Sequence, residues 1–232
     1  MKLLAVETST DACSAALFIN GEIREEFAIA PREHTKLILP MIDRLMAEAQ
    51  LRPQQLDAIA VSRGPGSFTG VRIAGGVVQG IAYGADLPVA PVSTLAAIAQ
   101  DFFNKRSDPE IAFTAMDARM GEIFWGVYRR SDLGLAELLG AEAVTPAADI
   151  QVGDETGYGV GSGWTEYAEL LAQRLGQRLL SVEAEAIWPR AACIAQLGAF
   201  LCANGGAVPV EQAMPVYLRD KVAKKAVGEV IN

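Results

Sequence analysis

The sequence predicts an α/β protein of two lobes. Strand-like and helix-like segments alternate through the first hundred residues in the order β-β-β-α-β-α-β-α. The second half repeats that order less regularly, and the polar stretch 104–109 separates the halves. We therefore expect an N-terminal lobe at residues 1–104 and a C-terminal lobe at residues 105–232, each with a mixed sheet and flanking helices.

The first lobe has the clearer pattern. The dipeptide Asn20-Gly21 stands between two apolar runs, which is typical of a tight hairpin turn, so the first three strands should form a meander. We expect the strands at residues 3–7, 12–19, 22–29, 57–62 and 88–92. We expect the helices at residues 34–49, 71–83 and 93–103.

The second lobe is harder to divide into elements. The pair Thr145-Pro146 predicts the start of a short helix, because proline favours the first helical position. We expect the strands at residues 111–116, 123–129, 135–139, 156–160 and 178–182. Longer helices are expected at residues 164–175 and 189–203, the second of which is closed by Asn204-Gly205-Gly206.

The composition excludes several classes of protein. Hydrophobic residues make up 51% of the chain and charged residues 21%, which is typical of a folded globular protein and not of a disordered one. The net charge is −8, so the chain lacks the electrostatic surface of an autonomous nucleic-acid binder. It has no apolar run of about 18 residues and no signal-like start, so we expect a soluble, cytoplasmic protein with no membrane partner.

The cysteines and the basic tail suggest no chemistry. Cys13 and Cys193 fall in apolar stretches and are expected in the core, and neither these two nor Cys202 form a C-x-x-C pair. From about residue 219 a basic cluster is expected to be a solvated, flexible terminus. It contains Arg219, Lys221, Lys224 and Lys225.

The densest local signal is the glycine-rich segment 62–72, Ser-Arg-Gly-Pro-Gly-Ser-Phe-Thr-Gly-Val-Arg, between a strand and a helix. Phosphate-binding loops occupy such positions. The segment contains no lysine, and Thr69 stands where a dinucleotide-binding fingerprint requires its third glycine. We favour a rigid turn capped by Ser67 or Thr69, while a phosphate cradle that uses Arg63 or Arg72 stays open.

The residues available for catalysis are few. His34 is the only histidine, so the chain cannot supply a histidine pair for a metal, and no G-x-S-x-G segment presents a serine. Glu7, followed by Ser9 and Thr10, resembles the first phosphate loop of actin-like ATPases. Asp117 in the segment 117–122 is a further candidate nucleotide contact, although an internal ion pair is the favoured interpretation of that segment.

Two helices of the first lobe have surfaces that packing on one sheet does not explain. One has a wide apolar surface and the other has a surface of glycines. The apolar residues of the helix at 34–49 occupy more than one stripe. In the helix at 71–83 and just beyond it, Gly76, Gly80 and Gly84 recur every four residues and form what we call the glycine row. Each glycine costs a helix about 1 kcal/mol relative to alanine, so the row needs a reason. It packs either against the protein's own sheet or against a helix of another subunit.

Several of these motifs together resemble the bacterial TsaB family, also called YeaZ. The resemblance runs from Met1 to about Arg219, and its most specific segments are Gly-Pro-Gly-Ser-Phe-Thr-Gly-Val-Arg at 64–72 and Asp-Ala-Arg-Met-Gly-Glu at 117–122. The other matching segments are Glu-Thr-Ser-Thr at 7–10, Arg-Glu-His-Thr at 32–35, Ser-Thr-Leu at 93–95 and Pro-Val-Tyr-Leu-Arg at 215–219.

The resemblance implies a fold and a role. The fold is two actin-like (ASKHA, ribonuclease H-like) lobes, each with a mixed five-stranded sheet. The role is that of a non-catalytic paralogue of TsaD. With TsaD and the ATPase TsaE, such a protein helps to form N6-threonylcarbamoyladenosine at position 37 of tRNAs that read codons starting with A. TsaD carries a metal-binding histidine pair that this sequence lacks, so no catalytic residue and no metal ligand are expected here.

The resemblance also implies how the chain would assemble. The two helices would pair with their counterparts on TsaD, or with a second copy of the chain when TsaD is absent, and tRNA would be met only through the complex. ATP or ADP would bind, if anywhere, at the interface with TsaD. The expected interface residues are His34, Leu37, Ile38, Met41, Ile42, Leu45, Arg72, Gly76, Val77, Gly80, Ile81 and Gly84.

An enzyme is the alternative to this scaffold. An actin-like small-molecule kinase or ATPase would use the loop 7–11, Asp117 and the glycines of residues 159–163 as its nucleotide site. No glycine follows Glu7 to let a nucleotide approach the backbone, and the chain has no phosphate-binding lysine in its glycine-rich loop.

Overall fold

Two five-stranded sheets with one shared strand order form the framework of the protein, as a computed structural model that describes residues 1–219 shows. The first sheet has the order β3-β2-β1-β4-β5. Its strands are β1 Lys2–Glu7, β2 Ala12–Ile19, β3 Glu22–Ile29, β4 Ala58–Ser62 and β5 Val89–Val92. The second sheet has the order β10-β9-β6-β7-β8. Its strands are β6 Ile111–Arg119, β7 Glu122–Arg130, β8 Ala136–Pro146, β9 Gly157–Val160 and β10 Leu179–Val182.

Strand directions are equivalent in the two sheets. In each sheet three consecutive strands pair antiparallel, a fourth strand pairs in parallel with the first of the three, and a fifth pairs in parallel with the fourth. The predicted fold of two actin-like lobes, each with a mixed five-stranded sheet, is confirmed. The hairpin predicted at Asn20-Gly21 is confirmed as well, because Ile19 pairs with Glu22 and both turn residues have positive φ.

Five α-helices within residues 1–219 cover the sheets. They are α1 His34–Glu48, α2 Phe68–Ala85, α3 Thr94–Lys105, α4 Gly163–Leu175 and α5 Ala191–Ala203. Helices α1 and α2 lie on the outer face of the first sheet, and α4 lies on the outer face of the second. Helices α3 and α5 contact each other and fill the space between the two sheets.

The two central helices are exchanged between the halves of the chain. Helix α3 follows the first sheet in sequence but packs on the second, where Leu95 and Phe102 are buried with Tyr128. Helix α5 follows the second sheet but packs on the first, and a Cβ added to Gly198 would lie 2.5 Å from the Cβ of Ala60. A division of the chain at residue 104 therefore separates the strands of the two sheets but not the helices that cover them.

Two local predictions need correction. The short helix predicted at Thr145-Pro146 is wrong, because both residues end the long strand β8, where Thr145 pairs with Ile123 of β7. Pairing with a buried strand outweighs the helix-start preference of the proline, and only a single turn of 3₁₀ helix, Ala147–Asp149, follows. Helix α2 begins at Phe68, earlier than predicted, because the Ser67 hydroxyl accepts a hydrogen bond from the Gly70 amide and caps it.

The cysteines behave as predicted. Cys13 and Cys193 are buried, and all three cysteines are free thiols. In the part of the chain from residue 1 to 219, no helix combines the length and apolar character needed to cross a bilayer.

Candidate partner interface

The inner face of α1 belongs to the core of the first lobe. Ile38, Met41, Ile42 and Leu45 are each less than 6% exposed and pack on the outer face of the first sheet. The expectation that these four residues contact a partner is corrected, because their own sheet already covers them. The apolar stripe of α1 is wide because the helix packs closely on the first sheet and buries most of that stripe.

His34 serves the same chain. The Nε2 atom lies 2.8 Å from the Thr10 carbonyl oxygen and 3.2 Å from that of Ala12. Both partners can only accept, so Nε2 carries a proton and donates to them. This buried ring therefore ties the start of α1 to the loop after β1 and is not presented to a partner.

The outer side of α1 carries apolar surface that the chain does not cover. Leu39 is 49% exposed, Pro40 and Ala47 are exposed, and Leu37 is half-buried beside the core. Leu39 was not among the expected interface residues. It lies at the edge of the core stripe, seven positions before the buried Met46, and only the structure shows which of the apolar residues stay exposed.

The glycine row of α2 faces outward. A Cβ added to Gly76, Gly80 or Gly84 would meet no other atom of the described chain within 4 Å, so the row does not pack against the protein's own sheet. Four-residue spacing extends the row through the exposed residues Arg72 and Phe68 at the start of the helix. Val77 and Ile81 flank it and are half-buried against the core.

Together these surfaces form one open face on the first lobe. We use "open face" for the exposed residues Leu39 and Pro40 of α1 and Phe68, Arg72, Gly76, Gly80, Tyr83 and Gly84 of α2. Tyr83 is 79% exposed and was also missed by the sequence analysis. Extending the glycine spacing toward the start of the helix would have found Phe68, but no pattern in the sequence marks Tyr83.

The loop after β1, the candidate phosphate loop, is enclosed by its own chain. The Thr8 hydroxyl donates to the Gly70 carbonyl (2.7 Å), and the Ser67 amide donates to the Ser9 carbonyl (2.7 Å). The Thr94 hydroxyl donates to the Ser9 hydroxyl (3.1 Å). A Cβ on Gly66 would lie 2.5 Å from the Ser9 carbonyl oxygen, so the glycine-rich segment packs directly on this loop. That segment therefore acts as the predicted rigid turn.

Glu7 is fully buried at the base of this loop. Burial raises the pKa of its carboxyl above the ordinary 4.5, and hydrogen bonds from Ser9 oppose the shift. One carboxyl oxygen accepts from the Ser9 amide, while the other has no hydrogen-bond partner within residues 1–219. The Ala12 amide donates to the Thr10 hydroxyl (3.2 Å), so this amide and that of Ser9 are bonded to local partners and not directed toward a ligand.

Asp117 is engaged in a local ion pair. Its carboxylate lies 3.2 Å from the Arg119 guanidinium and accepts the Arg119 amide at 2.8 Å, as the favoured interpretation of the segment 117–122 predicted. Glu122 does not join this pair; it pairs with Arg219 from the end of the described chain. The two candidate nucleotide contacts therefore already have partners in the chain, because Glu7 accepts from the Ser9 amide and Asp117 is bonded to Arg119 and to the Tyr167 hydroxyl.

The glycines at residues 159–163 are also packed by the chain. A Cβ on Gly159 would lie 2.5 Å from the Trp164 ring, and one on Gly161 would lie 2.5 Å from the Ala115 carbonyl oxygen. This turn is filled, as the loop after β1 is. Within residues 1–219, no group of three or more histidine, cysteine, aspartate or glutamate side chains is placed to hold a metal ion.

Residues 213–219 form a strap that joins the two lobes. Ala213 packs in the core of the first lobe, and the Val216 amide donates to the Arg63 carbonyl (2.8 Å). Arg219 reaches the second lobe, where it donates to the Ala118 carbonyl (3.0 Å) and pairs with Glu122. The expected solvated tail therefore needs correction at Arg219, which is half-buried; Lys221, Lys224 and Lys225 lie outside the described residues.

A protein-family model matches more than half of the chain. The model for TsaD, tRNA N6-adenosine threonylcarbamoyltransferase, matches residues 28–163.

Curated relatives match nearly the whole chain. The tRNA threonylcarbamoyladenosine biosynthesis protein TsaB of Escherichia coli (strain K12) is 38% identical, and the match covers 97% of each chain. The protein of the same name from Haemophilus influenzae is also 38% identical, over 97% of this chain and 96% of its own. Among solved structures, YeaZ from Pseudomonas aeruginosa is 42% identical with a TM-score of 0.85, over 94% of this chain and 99% of that one.

Proposed function

The chain belongs to the TsaB family, and on that premise we propose that it acts in tRNA threonylcarbamoyladenosine biosynthesis as a non-catalytic subunit that binds the transferase TsaD. In this proposal the open face of the first lobe packs against the corresponding helices of TsaD. The complex then recruits TsaE, and tRNA is contacted through the complex. In the absence of TsaD, the same face pairs with a second copy of the chain.

The glycine row is the observation that carries this proposal. Three outward glycines weaken α2 by about 1 kcal/mol each relative to alanine and leave the helix backbone accessible to close contact. Exposed apolar side chains of both helices surround them, including Leu39 and Tyr83. A second helix that packs closely on the row would cover this apolar surface and offset the cost of the glycines.

The alternative of a kinase or ATPase acting alone has less support. Its candidate nucleotide loop, the segment after Glu7, is covered by the glycine-rich segment, and its candidate adenosine loop at 159–163 is filled by Trp164 and Ala115. The chemistry of transfer is assigned to TsaD because this sequence lacks the histidine pair that such an enzyme needs for its metal. A nucleotide at the interface with TsaD stays a prediction.

The proposal is tested by mass. Light scattering of the purified chain with TsaD, and of each alone, should show a heterodimer that replaces a homodimer. The mixture is measured without nucleotide, with ATP and with ADP. If the mixture shows only the separate masses under all three conditions, the proposal fails.

Substitution of a glycine of the row by a charged residue tests whether the row contacts the partner helix. Gly80→Glu is expected to abolish both the heterodimer and the homodimer, because a carboxylate would be buried against the partner helix. The isolated variant should stay folded, since Gly80 has open space around it. The matched control is Leu170→Glu on α4, which makes the same kind of change on an exposed residue of the other lobe and should leave both assemblies intact.

A further inference from the structure

We propose that Phe68, Arg72 and Tyr217 form a shelf that binds a carboxylate of the partner protein at one end of the open face; this inference rests on the proposed function. The Arg72 guanidinium carbon lies 3.2 Å from the centre of the Phe68 ring and 5.0 Å from that of Tyr217. The two rings are 6.0 Å apart and inclined at 38°. The guanidinium is therefore held between a residue of α2 and a residue of the strap.

The charge of Arg72 is not neutralised by any carboxylate of the residues that the structure describes. No carboxylate of residues 1–219 lies within 4 Å of its nitrogens, and its one recorded hydrogen bond is from Nη1 to the Phe68 carbonyl (3.1 Å). Arg63, the other arginine considered for an anion, differs because it lies 3.9 Å from the buried carboxylate of Glu142. Arg72 keeps its remaining donors available, and the aromatic contacts reduce the side-chain freedom that it would lose on binding.

The two rings that hold Arg72 are themselves exposed. Phe68 is 60% exposed and Tyr217 is 48% exposed, so neither is needed to fill the core. Aromatic side chains and arginine are the residue types most enriched at the centres of protein interfaces, where neighbouring contacts exclude water from them. Covering these rings by a partner would also strengthen the pairing of Arg72 with an acidic group, since water would be excluded.

The strap sets the position of Tyr217. On one side of it, the Val216 amide is bonded to the Arg63 carbonyl, and a Cβ on Gly64 would lie 3.1 Å from the Val216 carbonyl oxygen. On the other side, Arg219 is bonded to the Ala118 carbonyl and to Glu122 of the second lobe. The shelf is thus assembled from both halves of the sequence, although it lies at the start of α2.

A protein carboxylate fits this shelf better than an RNA phosphate. The chain carries a net charge of −8, which opposes the approach of RNA. Phe68 and Arg72 also continue the glycine row at four-residue spacing, so a protein that covers the row reaches the shelf directly. The occupant is therefore an aspartate or glutamate of the chain that packs on the open face.

The test measures the affinity of TsaD for Arg72→Gln over a range of NaCl concentrations, with Arg129→Gln as the control. Arg129 is exposed on the second lobe and has no carboxylate within 4 Å among residues 1–219. Loss of a charged hydrogen bond at an interface should weaken binding by about tenfold or more. The affinity of Arg72→Gln should also depend less on salt than that of the wild type or the control.

Tyr217→Ala separates the shelf from a general charge effect. This substitution should weaken TsaD binding as well. The double variant Arg72→Gln with Tyr217→Ala should lose less binding free energy than the sum of the two single losses, because both substitutions disrupt the same contact. Equal affinity and salt dependence for the wild type and Arg72→Gln would overturn the shelf alone. Failure of the wild type to bind TsaD would overturn the proposed function and the shelf with it. Arg72-dependent binding of tRNA with unchanged TsaD affinity would assign the shelf to phosphate and overturn the carboxylate.

Discussion

The two lobes have the same strand order, yet the glycine row of the first lobe and the glycines at residues 159–163 of the second have opposite roles. On the first lobe, the glycine row of α2 meets nothing within the described chain. On the second, Gly159 and Gly163 lie tightly against Trp164 and Ala115, where a Cβ would overlap existing atoms. One set leaves a surface open, and the other allows close packing within the lobe. The direction in which a glycine faces therefore decides whether it indicates an interface.

The covering helices differ in the same way. Helices α1 and α2 lie side by side on the first sheet and present the open face, whereas α4 covers the outer face of the second sheet with only a short 3₁₀ turn beside it. Under the proposed function, this difference favours the first lobe as the one that binds the partner.

The largest effect should come from the buried side of α1. Leu45→Ala is expected to lower the free energy of unfolding by about 2–5 kcal/mol, because it leaves a cavity in the core. Leu39→Ala, on the exposed side of the same helix, should change this free energy by less than about 0.5 kcal/mol and should instead weaken the heterodimer. Urea unfolding of both variants measures the difference. Equal losses of stability would mean that the two sides of α1 have been assigned wrongly.

A pair of alanine substitutions compares the two kinds of glycine. Gly159→Ala should destabilise the chain by about 1–3 kcal/mol, because its Cβ would overlap the Trp164 ring. Gly76→Ala should stabilise the isolated chain by up to about 1 kcal/mol, because α2 gains a better helix former in open space. Thermal unfolding at fixed protein concentration reports both. At a protein concentration low enough for the homodimer to dissociate, a stability loss in Gly76→Ala would contradict the view that residues 1–219 leave the row uncovered.

The smallest effect should appear in the pH dependence. The pKa of Glu7 is raised above 4.5 in the folded chain, so the folded state binds this proton more tightly than the unfolded state. The tighter binding of this proton stabilises the folded state fully below pH 4.5. This stabilisation is lost as the pH rises through the pKa that Glu7 has in the folded chain. Glu7→Gln cannot ionise, and its stability relative to the wild type should therefore increase from pH 5 to pH 8.

The matching position on the second lobe provides the control for that experiment. Asp117→Asn removes an ion pair with Arg119, which is 87% exposed, so it should cost little at any pH. Urea unfolding of the three proteins at several pH values distinguishes them. A constant difference between Glu7→Gln and the wild type across this range would show that Glu7 does not titrate differently on folding.

The strands could be predicted from the sequence because their signals are local. Alternation of apolar runs and the Asn20-Gly21 turn predicted the strands of the first sheet closely, and Ser67 was one of the two residues predicted to cap the next helix. The exchange of α3 and α5 could not be predicted. Periodicity shows that a helix has an apolar side, but not which of two sheets that side will meet.

The candidate site was only partly predictable for a similar reason. Leu39 and Leu45 are the same residue type in one helix, yet one is exposed and the other belongs to the core. The sequence left open whether Gly76 and Gly80 pack against the sheet or face a partner, and the structure shows that they face outward. Tyr217 joins Arg72 across 145 positions in the chain, and no local pattern connects them.

The exchange of central helices has a consequence during synthesis of the chain. The inner face of the first sheet, which includes Leu3 and Ala5, is covered by α5 at residues 191–203. At about 5–20 residues per second, a ribosome needs about 5–20 seconds to move from the end of α3 to the end of α5. Throughout that interval a finished row of strands has an apolar side with nothing to cover it. A chaperone would therefore have the largest apolar surface to protect while the first lobe has been synthesised and α5 has not.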